Sequence, residues 1–385
     1  MNQESVSKMT LKKITDFIHL WLGLISGLVV VVVSLTGCLY VFEKEVRDVF
    51  QAKYFYVKTP INQERKTLFE ISDAVKKAYP KEKVTQIRFE SAPESAYLYH
   101  TKSKKAISIN PYSLQILGVR NLKSDFFKFI LDLHLNLKMG EIGEQIIKWN
   151  VLIFLVLCIS GFILWLPKQR RFWKQAMTIK WKTKNWKRLN WDLHSVLGFY
   201  GLFILIMVSL TGVFWVFDSA KGLVSVVTGV PMKKDTKVEN SMKDTTKVFA
   251  MEAAYYSAKQ RYSGELQTFI AYPEESNKPI RVLFRYSYTL VRKQNTLFFD
   301  KNSGEILKED LFKNNNNYDK VARANYDFHT GSIPIFGLGS KILYFLASLF
   351  ATSLPITGTL IWWNKRKKNK AIRQNKYVKE VSINY

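Results

Sequence analysis

Histidine, cysteine and acidic side chains are all scarce in this chain of 385 residues. Its two cysteines, Cys38 and Cys158, both lie inside apolar runs, so no disulfide framework can form. No glycine-rich phosphate cradle, Cys/His metal cluster, nucleotide or flavin fingerprint, or nucleophile arrangement is present. Asp and Glu number 31 against 58 Lys and Arg, a formal charge of +27. Such a balance in a soluble protein would suggest nucleic-acid binding. The apolar residues, 47% of the chain, are instead gathered into four long blocks separated by polar sequence, which argues against a soluble nucleic-acid protein or a disordered tail.

The blocks run from about Ile14 to Phe42, Ile146 to Leu166, Leu193 to Phe217 and Ile342 to Trp363. Each is long enough to cross a hydrocarbon core of about 30 Å as a helix. The first exceeds the apolar core of a cleaved signal peptide. Its Leu35-Thr36-Gly37-Cys38 is similar to a lipoprotein cleavage box, yet Ser-Leu-Thr-Gly recurs at 209–212 before Val213, in a block that cannot be a signal. Residues 1–18, 167–192 and 364–385 together hold 20 basic and 4 acidic residues. Short basic flanks stay in the cytoplasm, so both termini are expected inside. Topology and anionic headgroups account for these basic runs without a nucleic-acid partner.

The expected organisation is a cytoplasmic N terminus at 1–13, a first span at 14–42 and an outside domain with an interfacial segment at 43–145. A second span at 146–166, a basic cytoplasmic loop at 167–192 and a third span at 193–217 follow. A second outside domain at 218–340, a fourth span at 341–363 and a basic cytoplasmic tail at 364–385 complete it.

Self-comparison exposes an internal repeat. A shift of 175 residues places His19 on His194, Gly23 on Gly198 and Ser34-Leu-Thr-Gly37 on Ser209-Leu-Thr-Gly212. A shift of 195–197 places Leu133-His134 on Phe328-His329, Gly143 on Gly339 and Ser160-Gly161 on Thr357-Gly358. The fold class is therefore a polytopic α-helical membrane protein with a four-helix bundle. Two small α+β domains are inserted between spans 1 and 2 and spans 3 and 4, and the two copies are parallel. In the first domain a helix is expected around Leu68 to Ala78, with strands at Val84–Phe89, Ala96–His100, Ala106–Ile109 and Gln115–Val119. In the second, Ala250–Tyr262 reads as helix, and Arg281–Tyr288 and Thr296–Asp300 as strands.

Four of the five histidines occupy repeat-equivalent positions. Counting along the spans puts His19 and His194 at the inner ends of the first and third, beside Gly161 and Gly358. His134 and His329 fall at the outer approaches to the second and fourth, beside Gly37 and Gly212. The approach segments Phe126–Met139 and Asp327–Leu338 are longer than a straight span requires, so they must bend or lie along the interface. Paired imidazoles from facing helices are what axial ligation of haem iron needs, and glycine on neighbouring helices would leave room for a flat macrocycle. A non-haem metal or a proton relay is the alternative use for intramembrane histidines, and a headgroup contact is the bland reading of any one alone. The Ser/Thr-x-Gly pattern is explained equally well by close helix packing. His100 has no repeat partner and reads as an ordinary surface residue.

At these residues the chain resembles the PepSY-associated transmembrane family, which includes iron-regulated membrane proteins and siderophore reductases of the bacterial inner membrane. The resemblance covers nearly the whole chain. It rests on Phe17-Ile-His-Leu-Trp-Leu-Gly23, Ser34-Leu-Thr-Gly37, Asn110-Pro-Tyr-Ser-Leu-Gln-Ile-Leu-Gly118 and Leu131-Asp-Leu-His134. Leu193-His194, Ser209-Leu-Thr-Gly212, Asp300-Lys-Asn-Ser-Gly-Glu305 and Asp327-Phe-His-Thr-Gly331 repeat it. The first domain departs from the usual Asp-Pro-x-Thr-Gly-Glu turn, with Asn110 and Gln115 and no Gly.

The resemblance implies two periplasmic PepSY domains on a bundle holding two b-type haems, with His19, His194, His134 and His329 as the bis-histidine ligands. It also implies multi-pass placement in the bacterial inner membrane and haem-dependent reduction of a ferric siderophore, or another ferric chelate, on the periplasmic side. The electrons would come from a cytoplasmic donor that the sequence does not identify. A non-enzymatic PepSY anchor that binds or inhibits a protease, and an iron-chelate permease, are the rival expectations. Outside the three basic flanks the chain is still net basic, which suits an anionic substrate.

Overall fold

The computed structural model describes residues 11–231, 238–240 and 249–383. Residues 1–10 of the expected N-terminal segment and 384–385 of the expected tail lie outside the described residues. The chain runs α1 (Leu11–Tyr40), α2 (Glu43–Phe50), α3 (Leu68–Ala78), β1 (Val84–Glu90), β2 (Tyr97–Thr101), β3 (Lys105–Ile109), β4 (Ile116–Asn121), α4 (Phe126–Asn136) and α5 (Gly140–Trp165). It continues through α6 (Trp173–Ala176), α7 (Trp186–Val216), α8 (Asp218–Thr228), α9 (Met251–Arg261), β5 (Gln267–Ala271), β6 (Ile280–Arg285), β7 (Gln294–Phe299), β8 (Ile306–Asp310), α10 (Asn317–Thr330) and α11 (Gly337–Ile383).

Four stretches of helix, in α1, α5, α7 and the α10–α11 region, are long and apolar enough to cross a membrane. A spanning segment must satisfy its own backbone in hydrocarbon, which selects helices for these blocks. The few hydroxyls inside them are satisfied in the same way: Ser26 donates to Leu22 O at 2.7 Å and Ser209 to Leu205 O at 2.7 Å. Helices α1 and α7 each pack against α5 and α11, so they stand at opposite corners of the bundle. A core of Cys158, Ile204, Leu205, Tyr344, Ala347 and Ala351 fills its middle. Leu28 and Phe203 point outward, as a lipid-facing surface requires.

Outside the bundle the two expected α+β units do not stand apart. Their strands form one antiparallel sheet of eight, in the order β4-β3-β2-β1-β5-β6-β7-β8, joined where β1 pairs with β5 from Gln86↔Ala271 to Glu90↔Gln267. Each unit alone would expose a row of unpaired backbone groups on β1 or β5, and pairing them removes both edges. Helices α3 and α9 cover one face of this sheet over Ile87, Phe89, Tyr97, Tyr99, Ile270, Val282 and Phe284. Helix α3 begins at a capping box made by Thr67 and Glu70. Strands β5 and β8 and helices α2 and α8 carry short or mixed patterns and were not foreseen in the sequence.

The departed turn keeps its geometry. Asn110 Oδ1 accepts from the backbone of Tyr112 and Ser113, as Asp300 Oδ1 accepts from Asn302 and Ser303. Leu114 stands where the other turn has Gly304, and both have positive φ, 61° and 74°. Leu114 packs against the sheet core, which offsets the cost of a left-handed backbone for a residue with a Cβ.

Candidate functional site

The approach segments bend rather than run straight. Helix α4 stops at Leu137, which is left-handed with φ 53°, and α5 restarts at Gly140. The two helices then pack so closely that a Cβ on Gly143 would lie 1.7 Å from Asn136 O. Gly339, its partner by sequence, faces open space, so the second half turns differently: α10 ends at Gly331, and a short 3-10 turn at Pro334–Phe336 leads into α11.

The histidines stand in two pairs: the bends bring His134 and His329 together, and His19 and His194 meet directly from α1 and α7. The rings of His19 on α1 and His194 on α7 have centroids 6.3 Å apart at 85°. Those of His134 on α4 and His329 on α10 are 6.2 Å apart at 75°. Thr36, which touches His134, stands 17 residues after His19 on α1, about 25 Å along the helix at 1.5 Å per residue, so the pairs occupy opposite ends of the bundle.

Each imidazole is seated by a Ser-Gly or Thr-Gly step on a neighbouring helix. His19 Nδ1 is 2.9 Å from Ser160 Oγ, and His194 Nδ1 is 2.9 Å from Thr357 Oγ1. His134 Nδ1 lies 3.1 Å from Thr36 Oγ1 and 3.0 Å from Val33 O; His329 Nδ1 lies 2.9 Å from Thr211 Oγ1 and 3.2 Å from Val208 O. The glycine that follows each hydroxyl admits the ring edge. A Cβ on Gly161 or Gly358 would meet the Cε1 of His19 or His194 at 3.2 Å, and on Gly37 or Gly212 that of His134 or His329 at 3.5 and 3.6 Å. So the glycines make room for the histidines themselves, and the hydroxyl residues Ser160, Thr357, Thr36 and Thr211 join the site. Their regular place one residue before each glycine was the available signal for them.

The hydrogen-bond network assigns the tautomer. All four hydroxyls donate to carbonyls of their own helices: Ser160 to Leu157 O, Thr357 to Ser353 O, Thr36 to Val32 O and Thr211 to Met207 O. With that proton committed, each hydroxyl can only accept from the imidazole. Carbonyls of Val33 and Val208 can likewise only accept. Nδ1 therefore carries the hydrogen on all four rings, and the lone pair is left on Nε2. A histidine that ligates a metal shows this pattern, its second nitrogen donating to a fixed acceptor.

Two buried asparagines brace one half of the site. Asn190 and Asn325 each stand four residues before a histidine, and they donate to Thr357 O and Thr211 O at 3.0 Å. A cavity of about 370 Å³ adjoins His19 and His194, lined in part by Gly23, Gly198, Phe199 and Trp165, with exposed Lys12 and Lys365 also on its wall. Among the described residues, no group of three or more His, Cys, Asp or Glu could hold a metal ion.

His100 is not the surface residue its sequence suggests. It is half-buried on β2, where burial and the nearby Arg120 and Arg88 push its pKa down to about 4.

No curated protein matches the chain. Among solved structures, a protein of Clostridium difficile 630 described as a lipoprotein aligns with 66% of this chain and 99% of its own. Its identity is 8% and its TM-score 0.26. The family profile described as PepSY-associated TM region matches residues 17–365, across the four membrane helices, the sheet and all four paired histidines, and the chain belongs to that family.

Proposed function

We propose that the protein is a membrane-embedded reductase of the two-haem kind, which moves electrons from a cytoplasmic donor to a ferric siderophore or related chelate on the periplasmic face. The observation that carries this reading is the shared state of the four imidazoles: two facing pairs at opposite ends of the bundle, every Nδ1 held as a donor and every Nε2 left with its lone pair.

His19 with His194, and His134 with His329, would hold an iron between their rings, and centroid separations of 6.3 and 6.2 Å suit that role. Among the described residues no group of three or more His, Cys, Asp or Glu could hold a metal ion, so two imidazoles at each pair would suit the iron of a haem better than a bare ion. Next to the His19–His194 pair, the apolar cavity suits a flat macrocycle, and Lys12 and Lys365 suit its carboxylates. Bound haem supplies one-electron chemistry. The chain's own part is to hold the rings, fix their tautomer through Ser160, Thr357, Thr36 and Thr211, and exclude water with α1, α5, α7 and α11. The reading includes a parallel two-fold repeat, because the same histidine seat is built twice in each half of the chain. It also has both termini in the cytoplasm, because the short flanks of the spans are basic, and takes the bacterial inner membrane from the family.

The test is the absorption spectrum of the detergent-purified protein after expression with ample haem. Two low-spin haems per chain, reduced by dithionite and reoxidised by a ferric siderophore, are expected. Haem-free protein would sink the reading; haem that ferric chelates leave reduced would remove the substrate assignment.

A further inference from the structure

The sheet has a second face, turned away from α3 and α9, and it is rich in arginine. Arg88 on β1, Arg120 on β4 and Arg285 on β6 all lie on it, in register with His100, Gln86, Phe269 and Gln267 of the intervening strands. Arg88 and Arg285 share the ring of Phe269, at 5.0 and 4.6 Å from its centroid. Arg120 lies 4.6 Å from the centroid of Phe55, and His100 feels both Arg120 and Arg88.

Neighbouring arginines show what a paired guanidinium looks like here. Arg47 is held by Glu43 and by both oxygens of Asp125, and Arg292 by Asp327. Among the described residues no carboxylate forms an ion pair with Arg88, Arg120 or Arg285. Each of the last two makes one long side-chain hydrogen bond, 3.4 Å to Gln51 and 3.4 Å to Gln267, and like Arg292 each leaves a buried Nε without a partner, so what sets them apart is the missing carboxylate. Burial, with Arg292 and Arg88 close by, pushes Arg285 down to about 10. Glu90, on the same face, accepts from Gln267 at 2.9 Å and forms no ion pair with Arg88 or Arg285, so two half-buried like charges on one ring are costly to hold unless an anion completes them.

A chain of rings leads from this face to the histidines. Arg292 lies over Tyr326 at 4.5 Å, Tyr326 is 6.3 Å from Trp215, and Trp215 is 4.8 Å from His329.

We propose that Arg88 and Arg285, which flank the Phe269 ring, form an anion-binding site for the carboxylates of a ferric chelate, held on the sheet face that adjoins α10 and the His134–His329 pair. Guanidinium forks match carboxylates two oxygens at a time, and two of them on one ring favour a polycarboxylate over a neutral or cationic chelate. That the ligand carries iron rests on the reductase reading; that the site takes carboxylates does not.

The experiment measures equilibrium binding of gallium(III) citrate, a redox-inert probe, to the detergent-purified full chain with its haem content recorded. Wild type is expected to bind, more weakly as salt rises. The Arg88→Gln/Arg285→Gln double variant is expected to lose at least tenfold in affinity with haem content unchanged, and Lys76→Gln on exposed α3 to bind as wild type. A neutral gallium trihydroxamate should show no difference between variants. The inference is overturned if wild type does not bind gallium citrate, or if the double variant binds it unchanged. It is also overturned if that variant loses haem while keeping citrate affinity, because the arginines would then serve haem carboxylates. Haem-free protein that still binds gallium citrate would refute the reductase reading and leave this site standing.

Discussion

Thr357 Oγ1 lies 2.9 Å from His194 Nδ1 while donating its own proton to Ser353 O, so the threonine acts on the histidine purely as an acceptor. Removing the acceptor leaves the ring free to rotate or to carry its hydrogen on the other nitrogen. Thr357→Val, which keeps the shape and removes the oxygen, should weaken metal or haem retention at the His19–His194 pair about 10- to 100-fold. Thr357→Ser should restore it. Haem dissociation followed by transfer to an apo-globin acceptor checks both, and equal retention in all three proteins would show that the hydroxyl has no positioning role.

Substituting both His19 and His194 by Ala should reduce haem from two per chain to one, with the His134–His329 pair intact. The same change at His134 and His329 should remove the other. Quantitative haem extraction decides this; a chain that keeps both haems after either double substitution contradicts the pairing.

The glycines separate two kinds of helical site. Gly358→Ala places a Cβ 3.2 Å from His194 Cε1, on a ring tied at Nδ1, so the ring must shift by a few tenths of an ångström. The expected result is an altered low-spin spectrum and faster haem loss. Gly222 on α8 has nothing within 4 Å of its added Cβ, and Ala there should stabilise the helix by about 0.5–1 kcal/mol. Thermal unfolding read at a haem band and by circular dichroism distinguishes the two effects.

The histidine pairing was legible because both the repeat and the residue count along each span constrain it, and neither depends on tertiary packing. The seats were half legible. Thr36-Gly37 and Ser160-Gly161 stood out as a pattern beside the right histidines, but a hydroxyl before a glycine serves helix packing as well, and only the folded chain shows the hydroxyl accepting from the ring. The single sheet was not legible at all. Strand β5 is five residues long, and its pairing with β1 joins segments about 180 residues apart, a contact that no local pattern encodes. His100 was misread for a related reason: its neighbours Arg88 and Arg120 reach it across strand pairings.

Asp327 is fully buried and receives the Arg292 guanidinium, itself mostly buried over Tyr326. Removing one partner strands the other charge, which costs about 3–5 kcal/mol. Asp327→Leu alone should therefore lower the melting temperature sharply, whereas Asp327→Leu with Arg292→Met should recover much of the loss. A double variant as unstable as the single would mean that the pair contributes through its geometry beside His329 and not through charge balance.

His100 sets a pH dependence outside the membrane. In the unfolded chain it titrates near 6.5, and in the fold burial, then Arg120 and Arg88, bring it to about 4. Below pH 6.5 the unfolded state takes up the proton first, so folding stability falls as pH drops from about 6.5 towards 4 and levels off beneath that. The full contribution, up to about 3 kcal/mol, is present above pH 6.5. His100→Phe removes the proton without introducing a charge and should flatten the profile across this window. Urea unfolding followed by tyrosine fluorescence, between pH 7.5 and 4, is the measurement; a variant whose profile still falls as steeply as that of wild type would assign the loss to other groups.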